Sequence, residues 1–318
     1  MKKALFINAD SSKPHCAVFQ AGKIYGAAMQ ESKELEIDYL EVGTGGTLPG
    51  PTLYDVVIFN YQHLTMEIIP PEYFSHCKIA IGFLYEARSD PGSSPLHIPD
   101  LVAGQLFDVL ISPDPTLEST PRVWGMPRVI PRLLPPYLGQ SGRHVPLIKT
   151  FGFPSPWKNL KGVVEMMNEE FEEAVFHLNF SPASHQEGTP LHERQIEAAL
   201  ALEDIAKPGI AVVVTQEYKT DEELVTWLHD SDLNVFLSYP ERGIQTGGAL
   251  LASADMAISA QRPLLVSDNI EARHLELAKD PSLKEAMENG RGVEYLYEVW
   301  APENFAIKFD EHVREYLR

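Results

Sequence analysis

Short apolar runs alternate with amphipathic stretches along most of this chain. In the first half the runs fall at residues 4–9, 37–42, 55–61, 78–84 and 108–112. Segments such as VVIF and IAIGFL lack a polar alternate face, which is the pattern of strands covered on both sides of a parallel sheet. Residues 16–29 read as the best helix of this half. The stretch PRVIPRLLPPYLGQSGRHVP, 127–146, holds five prolines and two glycines and predicts an irregular linker. The second half repeats the alternation more regularly. Strands are expected at 147–153, 174–181, 209–216, 234–238 and 263–267, with helices near 156–171, 193–206, 221–230 and 246–260. Thr220 and Glu223 form a capping-box signature before the third of these helices. Such alternation implies βαβ units. The predicted fold is α/β, with two Rossmann-like domains whose parallel sheets face a cleft. The expected division is 1–140 and 141–318, with PENFAIKFDEHVREYLR as a terminal amphipathic helix of the second domain. No solenoid-period repeat or low-complexity tract is present.

One stretch breaks a local rule. In FGFPSPWKNLKGVVEMM, Leu160, Val163, Val164 and Met167 repeat at helical spacing. Ser155 suits the N-cap and Pro156 the first helical position. Lys158 and Lys161 then fall where the helix dipole is positive, at a cost of a few tenths of a kcal/mol each. Two solvated surface lysines are the ordinary reading. A bound diphosphate would reverse the sign of that term. A second anion signal lies in ERGIQTGGALLASADMAISAQRPLLVSD, which follows the strand NVFLS. There Gly247 and Gly248 are expected to open a helix, with Thr246 as its cap and as a donor to phosphate. Tight packing of that helix on the sheet is the plainer reading of the glycine pair. Both features follow strands of the second half, and open parallel sheets bind ligands beyond the carboxyl ends of their strands.

Charge and cysteine content narrow the classes. The chain is 44% hydrophobic and 22% charged, a globular composition, and its formal net charge is −19. A nucleic-acid partner is therefore not expected, because phosphate contacts need a basic face. Cys16 and Cys77 are the only cysteines, which gives no disulfide framework and fits a reducing cytoplasm. MKKALFINAD has too short an apolar core for a signal peptide, and no run approaches the ~18 apolar residues of a membrane span.

FGFPSPWKNLKGVVEMM resembles the strand, loop and helix that begin the C-terminal domain of GT-B retaining glycosyltransferases such as glycosyltransferase family 4. SDLNVFLSYPERGIQTGGALLASADMAISAQRPLLVSDN resembles the later donor-binding loop and helix of that fold. The likeness covers roughly 147–270. It implies that Lys158, with Lys161 as the second choice, contacts the donor diphosphate, beside Gly152 and the amides of Thr246, Gly247 and Gly248. It implies that Glu241 and Tyr239 face the donor sugar or nucleotide. The family's second, helical glutamate has no counterpart: Ala252, Ala254 and Met256 stand there, and Asp255 is the only acid. The arginine that often accompanies the lysine is also missing.

The first half would then hold the acceptor, a saccharide, lipid or small molecule. His15, His63 and Glu86 follow predicted strands and are the catalytic candidates, each with an ordinary loop residue as the alternative. VGTGGTLPGP, 42–51, lacks the lysine of a P-loop and reads as a loop. No G-x-S-x-G or G-x-G-x-x-G occurs, the histidines lack zinc spacing, and Asp230-Ser231-Asp232 reads as a solvated turn rather than a metal motif. No metal and no cofactor beyond a nucleotide-diphosphate sugar substrate is expected. The function implied is metal-independent glycosyl transfer from that sugar. A nucleotide-sugar epimerase and a degenerate, non-catalytic sugar-nucleotide or partner-binding protein are the alternatives.

Overall fold

The computed structural model describes residues 2–9, 17–43, 47–60, 69, 71–84, 106–134, 143–152, 155–181, 188–239, 251 and 253–317. The strands sort into two all-parallel sheets. The first has six strands: β1 (Lys2–Ala9), β2 (Leu35–Val42), β3 (Val56–Asn60), β4 (Ala80–Phe83), β5 (Val109–Ser112) and β6 (Val123–Gly125), in the order β2-β1-β3-β4-β5-β6. Every residue of β3, β4 and β5 is buried, as continuous apolar runs require. The second has five: β7 (Leu147–Phe151), β8 (Ala174–Asn179), β9 (Ile210–Thr215), β10 (Leu233–Phe236) and β11 (Leu264–Val266), in the order β11-β10-β7-β8-β9. The α/β class and the paired parallel sheets are those the sequence predicts. Among the described residues the strand without a sequence counterpart is β6, because three residues, VWG, carry no period.

The chain divides into two units. The first contains the six-stranded sheet, up to Pro131, together with the C-terminal segment from Val299. One face of its sheet is covered by α1 (Ala17–Gln30) and by the terminal helix α9 (Pro302–Tyr316). Phe305, Phe309 and Val313 join Tyr25, Met29, Phe6 and Ile58 in one core. The other face packs Val57 and Phe59 with Tyr73 of α2 (Pro71–His76) and with Phe107. The sequence reading placed the terminal helix in the second domain, and the structure places it in the first. Its stripe fits the α1 face, and the buried carboxylate of Asp310 accepts from the Lys33 amide (2.8 Å) and from the Ser32 hydroxyl at the end of α1. Periodicity announces such a stripe without saying which sheet it covers.

The second unit spans the five-stranded sheet to Glu298. Its helices are α3 (Leu160–Glu170), α4 (Pro190–Leu200), α5 (Asp221–His229), α6 (Ser253–Ser259), α7 (Leu283–Glu288) and α8 (Arg291–Val299). Val163, Val164 and Met167 of α3 pack on Ile148, Phe176 and Val235. The capping box of Thr220 and Glu223 starts α5 as read. Three helix starts differ from the reading: α4, expected from 193, begins at Pro190 behind the Thr189 cap. α3 begins at Leu160, and its cap is Asn159, whose side chain accepts from the Gly162 amide, rather than Ser155. The helix expected over 246–260 is α6, described from Ser253, and Gly247 and Gly248, expected to open it, lie outside the described residues.

Candidate functional site

In the second sheet the winding direction reverses between β7 and β10. The chain builds β7, β8 and β9 outward on one side, then returns to lay β10 and β11 on the other. Loops leaving neighbouring strands at such a switch point diverge, so a crevice opens at their carboxyl ends. The residues placed there explain why α3 starts late. After β10, Leu237–Tyr239 turn to pair antiparallel with Trp157–Asn159: the Asn159 amide donates to Leu237 O (3.0 Å), the Tyr239 amide to Trp157 O (2.9 Å), and Lys158 faces Ser238 in the ladder. Backbone pairing across the switch point wins over the first helical turn. Lys158 is therefore not a helical residue, and the dipole cost inferred from the sequence does not apply to it.

The Lys158 ammonium sits at the ends of three strands. It donates to Phe151 O at 2.6 Å and lies 5.8 Å from the ring centroids of Phe180 and Phe236. Both distances fall within the range of cation–π attraction. The rings are buried, so the charge is held beside low-dielectric walls, where an anion would feel it strongly. Gly152 follows β7 with φ +107°, a backbone that glycine adopts freely, and a Cβ there would stand 3.4 Å from the Lys158 Nζ. Tyr239 is exposed beside the ladder. The structure thus brings Gly152, Lys158 and Tyr239 to one corner.

Lys161 is elsewhere in character. It pairs with Glu165 at 3.2 Å, one turn along α3, with both side chains more than half exposed. That is the ordinary solvated lysine, worth a few tenths of a kcal/mol. Thr246, Gly247, Gly248 and Glu241 lie outside the described residues. So do His15, His63 and Glu86, although the strands that lead to them, β1, β3 and β4, end side by side.

Three groups escaped the sequence reading. At the switch point of the first sheet, between β1 and β3, Asn8 and Asn60 are both buried. The Asn60 amide donates to Asn8 Oδ1 (2.7 Å) and Val18 O (2.8 Å). The Asn8 amide donates to Phe19 O (2.9 Å) and to the Tyr39 hydroxyl (2.8 Å). The pair thereby fixes the first turn of α1 under the strand ends. Burial pushes the Tyr39 hydroxyl above the ordinary tyrosine value. A polar residue closing an apolar run, as in FIN and IFN, was the available signal.

The second is Lys149 in the middle of β7. Its side chain is 2% exposed, and its ammonium donates to Trp227 O (2.5 Å), lies 4.6 Å from the Trp227 ring and 3.6 Å from Asp230 Oδ2. Burial pulls it down to about 8, against the raising effect of Asp230. It closes the C-terminus of α5 together with Ser231 and Asn234, which donate to Leu228 O, and Arg262, which donates to His229 O. Of Asp230-Ser231-Asp232, read as a solvated turn, Asp230 is exposed and Ser231 is buried. Asp230 pairs with Arg143, and Asp232 accepts from the Leu147 amide at 2.8 Å. The third group, around Glu271, is taken up below. Among the described residues no three His, Cys, Asp or Glu side chains gather as a metal site, and no helix is long and apolar enough to cross a membrane.

No protein-family model and no curated protein sequence matches this chain. Solved structures do. The N-terminal domain of Candida albicans trehalose-6-phosphate phosphatase superposes with a TM-score of 0.64 at 10% identity, covering 99% of this chain and 97% of that one. HepE of Anabaena, solved in complex with UDP and glucose, gives 0.62 at 11% identity over 100% and 99%. A UDP-forming α,α-trehalose-phosphate synthase from Burkholderia xenovorans gives 0.61 at 12% over 100% of both. The chain therefore shares the GT-B fold of glycosyltransferases.

Proposed function

We propose that this protein is a glycosyltransferase that takes a nucleotide-diphosphate sugar at the β7–β10 corner and transfers its sugar to an acceptor held by the first unit. The observation that carries the reading is Lys158: a cation walled by Phe180 and Phe236 at the carboxyl-end switch point of a parallel sheet. The fold shared with HepE, which was solved with UDP and glucose, supports it.

The chemistry follows from charge. Breaking the bond between the sugar's anomeric carbon and the diphosphate leaves an oxocarbenium-like sugar and a growing negative charge on the leaving phosphate. A fixed ammonium stabilises that charge more in the transition state than in the ground state, which is what accelerates the step. In this reading Lys158 supplies the ammonium without a metal ion, and the backbone amides of Thr246, Gly247 and Gly248 add donors. Gly152 keeps the approach to Lys158 slim. Tyr239 and Glu241 face the nucleotide and sugar, and His15, His63 and Glu86 are the groups to test against the acceptor.

The experiment is calorimetric titration of wild type and Lys158→Met with UDP, GDP and ADP, followed by nucleotide release from the matching sugars with an acceptor library. Loss of one charge-assisted hydrogen bond of about 1.5–3 kcal/mol predicts about 10- to 150-fold weaker diphosphate binding in the variant. Equal affinities would remove Lys158 from the site. Absence of binding by wild type to any of the three would end the reading.

A further inference from the structure

The segment Ser267–Ala272 follows β11 and carries no residue that the resemblance singles out, yet it ties together the parts of the β7–β10 corner. The Ser238 amide donates to the Ser267 hydroxyl at 2.6 Å, and that hydroxyl donates back to Ser238 O at 3.0 Å. One side chain thus occupies both backbone groups of Ser238, as a ladder strand would. The Asn269 amide donates to the Ser238 hydroxyl at 2.8 Å, and this hydroxyl lies 3.5 Å from Glu271 Oε2. Asn269 Oδ1 accepts from the amides of Glu271 (3.1 Å) and Ala272 (3.3 Å), which holds the 3-10 turn Ile270–Ala272 in shape. Glu271 O in turn accepts from the Leu251 amide at 3.1 Å. Glu271 is 2% exposed and Ser238 8% exposed.

Ser238 is the ladder partner of Lys158, so what fixes Ser238 fixes the height of the Lys158 backbone. Leu251, whose amide donates to Glu271 O, is tied to the same turn. A buried polar group is costly unless satisfied. Four polar side chains satisfied by each other and by backbone hold a geometry more firmly than apolar packing would.

We propose that Ser267, Asn269 and Glu271 form the positioning element of the donor corner, holding Lys158 in register for a diphosphate through its ladder partner Ser238. The ligand class rests on the reading of that corner given above. The clamp itself rests on the hydrogen bonds just described. These residues touch no phosphate; they act through Ser238.

The test uses the full chain, with Ser267→Ala, Asn269→Ala and two milder variants. Ser267→Thr keeps the hydroxyl. Asn269→Asp keeps the Oδ1 that shapes the turn, and it replaces the donor to Ser238 with a carboxylate that repels Glu271. Amide hydrogen exchange reads the clamp, and UDP and UMP titrations read the site. The alanine variants should still unfold cooperatively, while the Asn159 and Tyr239 amides exchange at least about tenfold faster. UDP affinity should fall about tenfold with UMP changed little, because only UDP carries the second phosphate. Ser267→Thr should restore both readouts. Asn269→Asp should loosen Tyr239 while the Ala272 amide stays protected. Unchanged exchange at Asn159 and Tyr239 in every variant overturns the proposal. If those amides loosen but wild type binds no nucleotide diphosphate, the clamp stands and the diphosphate reading falls.

Discussion

Replacing Lys149 with methionine should make the protein more stable at neutral pH and should erase part of its pH dependence. Lys149 is pulled from 10.5 to about 8 by burial in β7. The sign follows from which state holds the proton. Between pH 8 and 10.5 the unfolded chain keeps Lys149 protonated while the folded chain releases it, so stability rises with pH across that window. The charged form is thus carried at a cost of roughly 3 kcal/mol below pH 8, at 1.36 kcal/mol per unit. Methionine fills much the same space and removes that cost. It also removes the bond to Trp227 O, a net loss of about 1 kcal/mol. The variant should therefore gain about 2 kcal/mol at pH 7. That advantage should shrink to near zero by about pH 9.5, as the wild-type lysine loses its proton. Urea unfolding at pH 7, 8, 9 and 9.5, followed by far-UV circular dichroism, measures the difference at each pH. Burial also pushes the Cys77 thiol from 9 up to about 11 and the Tyr73 hydroxyl from 10 up to about 12, so the stability of both proteins falls as pH rises above 9, and the difference between variant and wild type at each pH removes that common slope. A Lys149→Met variant that is less stable at pH 7, by an amount independent of pH, would falsify the account. Lys149 would then hold the end of α5 as a net stabilising cap.

Other expectations follow from particular contacts. Gly152→Ala must hold φ near +107° with a Cβ 3.4 Å from Lys158 Nζ. It should cost about 1–2 kcal/mol in urea unfolding and weaken UDP binding, and an unaffected titration would separate Gly152 from the site. Gly22→Ala puts a Cβ 2.2 Å from Asn8 Oδ1, inside the amide pair under α1. A loss of at least about 2 kcal/mol is expected, and a loss under 0.5 would mean that α1 can shift freely. Removing residues 302–318 should unfold the first unit, by baring the core around Phe305 and Phe309, while leaving the second unit protected in hydrogen exchange. Equal loss of protection in both units would contradict the placement of α9.

The sheets were legible from sequence because their signal is local. VVIF and IAIGFL have no polar face to offer water, so they must be interior strands, and alternation with amphipathic stretches leaves parallel pairing as the economical arrangement. The capping box of Thr220 and Glu223 was legible for the same reason: both partners lie within one turn. Lys158 is singled out by motif position, and the local reason the sequence offers for it fails, since it never enters the helix whose dipole it seemed to oppose. The start of α3 could not be read because Leu237–Tyr239, which compete for that backbone, lie some eighty residues further along the chain.

The sequence by itself determined the class of fold and the sites of most strands and helices. Tertiary structure decided three things that depend on partners distant in the chain. It assigned the terminal helix to the first unit, because Asp310 and the Phe305–Phe309 stripe meet α1 across more than 270 residues. It separated Lys158 from Lys161, because one is drawn into a ladder at the switch point and the other faces water. It gathered Ser267, Asn269 and Glu271 around Ser238, a set whose members show no period and gain their meaning only where β10 and β11 end side by side. Periodicity records which face of an element is buried. What that face meets is settled only when the whole chain closes.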